Sequence, residues 1–168
     1  SIVEPWSTLK LRDLATSFRV VIPSFDRPRE LVHQTLPFLL NHGISCDKIC
    51  VFLQPGRRDH APESRPEWER YSDELRRAAM PVQLREGGKG LTEQMLAAFG
   101  WAGEGAYVVV CSETVRDVNG LGTDRSRKEK MVPLRTGELQ LVIQHGAKLM
   151  RDYGFQAWSP SAVHKAQW

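Results

Sequence analysis

The sequence predicts an α/β domain, a mainly parallel sheet flanked by helices on both faces, and three observations carry that prediction. Residues 18–22, 48–53 and 106–111 are short apolar runs without strict alternation, the pattern of strands buried on both faces. Between them, apolar residues recur at helical spacing rather than at every second position. With the shorter run 82–84 counted, the order is β-α-β-α-β-α-β, which joins parallel neighbours through helical crossovers.

In chain order, residues 1–17 read as a polar lead-in carrying Trp6, Leu9, Leu11 and Leu14. The first strand, 18–22, stops at Pro23. Leu31, Val32, Thr35, Leu36, Leu39 and Leu40 then outline a helix with Gly43 as its stop, and Pro37 predicts a kink or break near Leu36. Residues 48–53 form the second strand, closed by the turn Gln54-Pro55-Gly56, and 57–63 read as a surface loop. Ser64-Arg65-Pro66-Glu67 has capping-box form and opens a helix with Trp68, Tyr71, Leu75 and Ala78 on its apolar face. That helix ends before Pro81, and 82–84 is a short strand. Glu86-Gly87-Gly88-Lys89-Gly90 reads as a flexible loop, and Thr92 begins a helix with Met95, Leu96 and Phe99 expected inward.

Residues 106–111 are the most continuous apolar run and are expected at the centre of the sheet. Residues 119–131 contain Gly120, Gly122 and a basic cluster without periodicity, and read as a mobile basic loop. The last helix spans 137–153, with Leu139, Val142, Ile143, Leu149 and Met150 inward and Gly154 as its stop, and 155–158 is a further strand candidate.

At 168 residues the chain is read as a single domain, 1–168, large enough to bury a core. Its net charge of +3 is too small to demand a nucleic-acid partner. No apolar run reaches the roughly 18–20 residues of a membrane span, so no membrane partner is expected. Cys46, Cys50 and Cys111 are sparse and odd in number, and Cys46 and Cys50 lack a second Cys/His pair for structural zinc. This usage points to a reducing, intracellular compartment, nuclear or cytoplasmic.

The turn after the first strand is the first candidate for chemistry. Ligands of open α/β sheets lie beyond the carboxyl ends of the strands, which is where Pro23, Ser24, Asp26 and Arg27 fall. The run Ile22-Pro23-Ser24-Phe25-Asp26-Arg27 resembles the opening strand and loop of GT-A glycosyltransferases, whose loop contacts the sugar nucleotide. The order Gly88-Lys89-Gly90-Leu91-Thr92, a helix, Gly103-Glu104-Gly105-Ala106-Tyr107 and then Val108-Val109-Val110 resembles the approach to that family's acidic motif.

The resemblance implies a GT-A fold and a nucleotide-sugar donor, a UDP-sugar foremost. It also implies Mg²⁺ or Mn²⁺ on the diphosphate, because the leaving group gains charge as the glycosidic bond breaks. The Asp-x-Asp triplet of that family falls on Ser112-Glu113-Thr114, where Glu113 alone keeps a carboxylate. Two readings stand open. Glu113 holds a metal, alone or with Asp117, and these two are then the catalytic candidates. Alternatively the metal has been lost, and a nearby Arg or Lys compensates the charge or catalysis is gone.

By the same resemblance, Lys89 and its glycine loop reach the phosphates, although the spacing is not that of a P-loop, and Gln54 and Asp26 face the base or ribose. The bland alternatives are an ordinary strand-to-helix turn at 23–27, an exposed turn residue at Gln54 and a plain connector at 86–90. Arg125, Arg127, Lys128 and Lys130 read as a solvated loop or as a phosphate-contacting arm. His164 is a minor catalytic candidate, and Trp158 stands where the family shapes its acceptor side.

Within GT-A enzymes, Pro23 to Leu31, Thr35-Leu36-Pro37-Phe38-Leu39 and Val115-Arg116-Asp117-Val118 are similar to the TET/JBP-associated glycosyltransferase group. That likeness implies DNA modification, with a hydroxymethylated DNA base or a protein as the acceptor. A catalytically impaired pseudo-glycosyltransferase serving as a binding or scaffold domain is the alternative, and an unrelated nucleotide-binding α/β domain is the third.

Overall fold

The computed structural model describes residues 17–55, 66–123, 129–154 and 156–157, with the backbone alone over 119–123 and 129–132. Strands β1 (Phe18–Ser24), β2 (Ile49–Leu53), β3 (Gln83–Glu86) and β4 (Tyr107–Val110) form an all-parallel sheet in the order β3-β2-β1-β4. Helices α3 (Glu67–Arg77) and α4 (Leu91–Ala102) make the crossovers from β2 to β3 and from β3 to β4.

Alternate residues of β1 and β2 supply the two faces of the core. Phe18, Val20 and Ile22, with Ile49, Val51 and Leu53, pack against Leu31, Leu36, Leu39, Tyr71, Leu75, Leu139 and Ile143. On the other face Val21, Cys50 and Phe52 meet Ala98, Ala97 and Trp101 of α4. Helices therefore cover both faces, as the unbroken apolar runs require.

β4 is an edge strand, not the central one, and the central pair is β1 and β2. A continuous apolar run reports cover over both faces of a strand and says nothing of partners along both edges. Tyr107 and Val109 pack on one core cluster and Val108 on the other, which explains the run. Val110 is nevertheless 47% exposed.

The first helical region is continuous across Pro37. Pro28–Glu30 (α1) and Leu36–Asn41 (α2) are α-helical, and Leu31–Thr35 between them is a π-helical turn. The Leu36 N–H bonds to the Leu31 carbonyl, five residues back. A proline lacks an N–H and crowds the carbonyl four residues earlier, so widening the preceding turn accommodates Pro37 without a break. Gly43 then ends the helix at φ +79.

Four other expectations are corrected. Pro66, not Ser64, is the N-cap of α3, and no side chain caps it. Trp68 is 47% exposed, although its spacing puts it on the same stripe as buried Tyr71 and Leu75. The inward face of α4 is Gln94 and Ala98, while Leu96 and Phe99 are exposed. Residues 119–131 are not an irregular loop throughout, since β5 (Asn119–Thr123) and β6 (Glu129–Pro133) pair as an antiparallel ribbon.

Helix α5 (Glu138–Tyr153) buries Leu139 and Ile143, and Gly154 ends it in the left-handed conformation. Its first turn is tied to the end of α2, where buried His42 accepts the Leu139 N–H on Nδ1 at 3.4 Å. Gln156 and Ala157 show no strand. The lead-in 1–16, Arg125, Arg127, Lys128, Trp158 and His164 lie outside the described residues, and Lys130 is described by its backbone alone. No helix among the described residues is long and apolar enough to cross a membrane.

Candidate functional site

The chain runs from β1 to β2 to β3 in one direction and returns to place β4 on the opposite side of β1. That reversal makes the gap between β1 and β4 a topological switch point, the place where open parallel sheets leave a crevice. Pro23 opens it. Val21 accepts the Cys111 N–H on the β4 side at 3.0 Å, and Ser24 accepts the Gln54 N–H on the β2 side at 3.3 Å. Successive strand residues bond to alternate sides, so Pro23 faces β4, where it has no N–H to offer. The β1–β4 ladder accordingly ends at Val21–Val110, while the β1–β2 ladder continues to Ser24–Leu53.

Beyond Pro23 the loop is held on α3 by a buried phenol. Tyr71 is fully buried, and its hydroxyl lies 2.7 Å from Ser24 Oγ and accepts the Arg27 N–H at 3.0 Å. Burial pushes the Tyr71 phenol up to about 12, so it stays protonated and structural. Asp26 is bound twice to the same helix. Its N–H donates to Glu67 Oε1 at 2.6 Å, and its carboxylate accepts from Arg70 at 2.5 Å. Glu67 thus serves a loop distant in sequence instead of a capping box. Burial raises its pKa, opposed by the Asp26 N–H, which favours the carboxylate. Asp26 adopts φ +55, unusual for a residue other than glycine and tolerated best by Asp and Asn.

Across the crevice, the Glu113 backbone carbonyl accepts the Thr35 hydroxyl at 2.7 Å, which anchors the loop after β4 to the π-helical turn. The Glu113 carboxylate lies 3.9 Å from Arg27 Nε, with the two side chains 17% and 54% exposed respectively. Arg27 and Glu113 therefore face each other over the switch point. Asp117 is exposed, and no hydrogen bond or ion pair joins it to Glu113 among the described residues.

The ends of β1 and β2 are closed by Gln94, which the sequence reading missed. It is 4% exposed and donates to the carbonyls of Ser24 at 3.2 Å and Phe52 at 3.3 Å. Gly87 and Gly88 have a packing reason. A Cβ on Gly87 would stand 2.8 Å from Gln94 Cγ, and one on Gly88 would stand 2.0 Å from Glu93 Cβ. The Lys89 N–H already donates to Glu93 Oε2 at 2.7 Å, so this backbone donor is taken by the chain's own carboxylate. The Lys89 side chain is exposed, and Gln54 is half-buried at the end of β2.

Of the residues the sequence reading named, Arg27 and Glu113 face each other on one rim, while Ser24 is 1% exposed with its hydroxyl on Tyr71 and Asp26 is turned to Arg70 of α3. Pro23 shapes that rim but is itself buried. Among Tyr71, Glu67, Arg70, Thr35 and Gln94, which hold it, Tyr71 and Thr35 fell on helix faces and Glu67 in a capping-box pattern, but none carried a signal for this role. The divalent ion that the family resemblance implies does not fit the donors present. Among the described residues no group of three His, Cys, Asp or Glu side chains is assembled, and the Glu113 carboxylate faces a guanidinium. A charged cleft of about 420 Å³ flanks the loop between α1 and α3, bordered by Asp26, Arg29, Arg70 and Arg77. A wider groove of about 770 Å³ runs along β3 beside Trp68 and Trp101, away from the crevice.

Comparison with known protein families, with curated proteins and with solved structures finds no match to this chain.

Proposed function

We propose that this chain is a GT-A-like glycosyltransferase domain that binds a UDP-sugar at the β1–β4 crevice. It transfers the sugar to an acceptor, either a hydroxymethylated DNA base or a protein. The observation that supports this reading is the meeting of Arg27 and Glu113 over the switch point of an all-parallel sheet. A guanidinium there binds a diphosphate with charge-assisted hydrogen bonds and stabilises it as a leaving group while the bond to the anomeric carbon breaks. Glu113 is the carboxylate at hand for proton transfer, and it becomes free when phosphate takes its place beside Arg27.

A second reading, a pseudo-glycosyltransferase that binds nucleotide without turning it over, draws on the Asp26–Arg70 pair beside that contact. Asp26 is tied to Arg70 and Glu113 faces Arg27, which leaves both carboxylates in charge-compensating roles. Calorimetric titration with UDP and UDP-glucose, followed by mass spectrometry of hydroxymethylcytosine-containing DNA after incubation, separates the two. Binding with a hexose mass added to the DNA supports the enzyme, and binding without turnover of UDP-glucose supports the pseudoenzyme. Absence of any UDP binding refutes both.

A further inference from the structure

We infer that diphosphate binding at this crevice is independent of divalent metal, because the Arg27 guanidinium stands where a cation would compensate the charge. The inference rests on the sugar-nucleotide reading above and specifies the charge chemistry of that site. Three observations carry it. First, the Glu113 carboxylate already has a cation 3.9 Å away, from Arg27 Nε. A metal ion ligated by Glu113 would have to share this space with a guanidinium, and like charges at such separations repel.

Second, the guanidinium is mounted on a fixed support. The Arg27 N–H is held by the buried Tyr71 hydroxyl at 3.0 Å, and Asp26 before it is bound to α3 at both its backbone and its side chain. The backbone that carries Arg27 is therefore ordered by the core, while its side chain remains 54% exposed and accessible to a ligand. With Nε toward Glu113, the two Nη groups make no ion pair or hydrogen bond among the described residues. Two Nη groups in a planar fork match two phosphate oxygens.

Third, the surroundings supply carboxylates but do not gather them as ligands. Glu67 and Glu113 both lie near enough to influence the Tyr71 phenol, but Glu67 is committed to the Asp26 N–H and Asp26 to Arg70. No group of three potential ligand side chains is formed among the described residues. Phosphate binding then amounts to exchange of partners on Arg27. The diphosphate replaces the Glu113 carboxylate, and no ion need be recruited.

The test is calorimetric titration of the whole chain with UDP and with inorganic pyrophosphate, once in excess EDTA and once in saturating Mg²⁺ or Mn²⁺. Arg27→Ala, Arg27→Lys and Glu113→Gln are titrated alongside, with circular dichroism to verify that each is folded. The expected result is equal affinity in EDTA and in metal. Arg27→Ala weakens binding about tenfold to a hundredfold, as removal of a charge-assisted hydrogen bond does, and Arg27→Lys recovers part of it. Glu113→Gln tightens binding in both buffers, because it removes the competing anion.

The opposite sign for Glu113→Gln, with binding seen only in metal and lost in that variant, overturns the inference and leaves the sugar-nucleotide reading standing. Unchanged affinity in a folded Arg27→Ala chain overturns it as well. No binding of UDP or pyrophosphate in either buffer removes the sugar-nucleotide reading itself, and this inference with it.

Discussion

Replacing Tyr71 by Phe tests the support of the crevice directly. The ring stays in the core, and only the oxygen that lies 2.7 Å from Ser24 Oγ and 3.0 Å from the Arg27 N is removed. Ser24 is 1% exposed, so its hydroxyl loses its partner without gaining water. A buried polar group left unpaired costs about 1–3 kcal/mol. The Arg27 N–H is part-buried and adds an amount at the low end of that range, so the expected total is about 2–4 kcal/mol.

Urea denaturation followed by circular dichroism reads this as a lower midpoint at unchanged slope. A double-mutant cycle with Ser24→Ala isolates the pair. Once Ser24 lacks its hydroxyl, Tyr71→Phe costs less, and the coupling amounts to about 1 kcal/mol or more. A loss below about 0.5 kcal/mol, the range of inconsequential surface changes, or strict additivity with Ser24→Ala, would refute the assignment of Tyr71 as the clamp. The same variant also weakens UDP binding if Arg27 is the phosphate contact, because its backbone is released.

His42 makes stability pH-dependent. Burial lowers its pKa, partly offset by Glu138, and its Nδ1 is the acceptor for the Leu139 N–H. Its contribution is fully present above the unfolded value of about 6.5 and declines as pH falls from there toward the lower native value, since the unfolded chain binds the proton more readily. His42→Asn, which keeps an acceptor, should flatten that limb in urea midpoints measured across pH, and an unchanged limb excludes His42 as its source. Gly88→Ala forces a Cβ to within 2.0 Å of Glu93 Cβ, so it should lower stability by about 1–3 kcal/mol, as overpacking does. A neutral thermal melt would show that the loop repacks freely. Asp26→Gly should be more stable than Asp26→Ala by about 1 kcal/mol, because φ +55 is strained for alanine and both variants lose the same exposed Arg70 pair. Equal midpoints for the two would mean that the loop does not hold the left-handed conformation in solution.

The sequence by itself determined the alternation of strands and helices, the parallel sheet and the covering of both its faces. These follow from local periodicity and from apolar runs that water would not tolerate. It also located the loop after β1 and the loop after β4, since a strand that ends in Pro23-Ser24-Phe25-Asp26-Arg27 declares its polar end. Strand order was not legible, because the run at 107–110 is equally apolar at an edge or at the centre once both faces are covered. The exposed stripe of α4 was misread for a related reason: helical spacing marks an apolar face but does not select which face the sheet receives. Here small Ala98 and hydrogen-bonding Gln94 face inward, because they fit the closing ends of β1 and β2. Only the tertiary structure decided what holds the site. Tyr71 reaches Ser24 across 47 residues and Thr35 reaches the Glu113 carbonyl across 78. It also set Arg27 against Glu113, where the sequence left a retained metal, a basic substitute and lost catalysis open. Such contacts depend on which ends of which elements the crossovers bring together, and no local window of the chain carries that information.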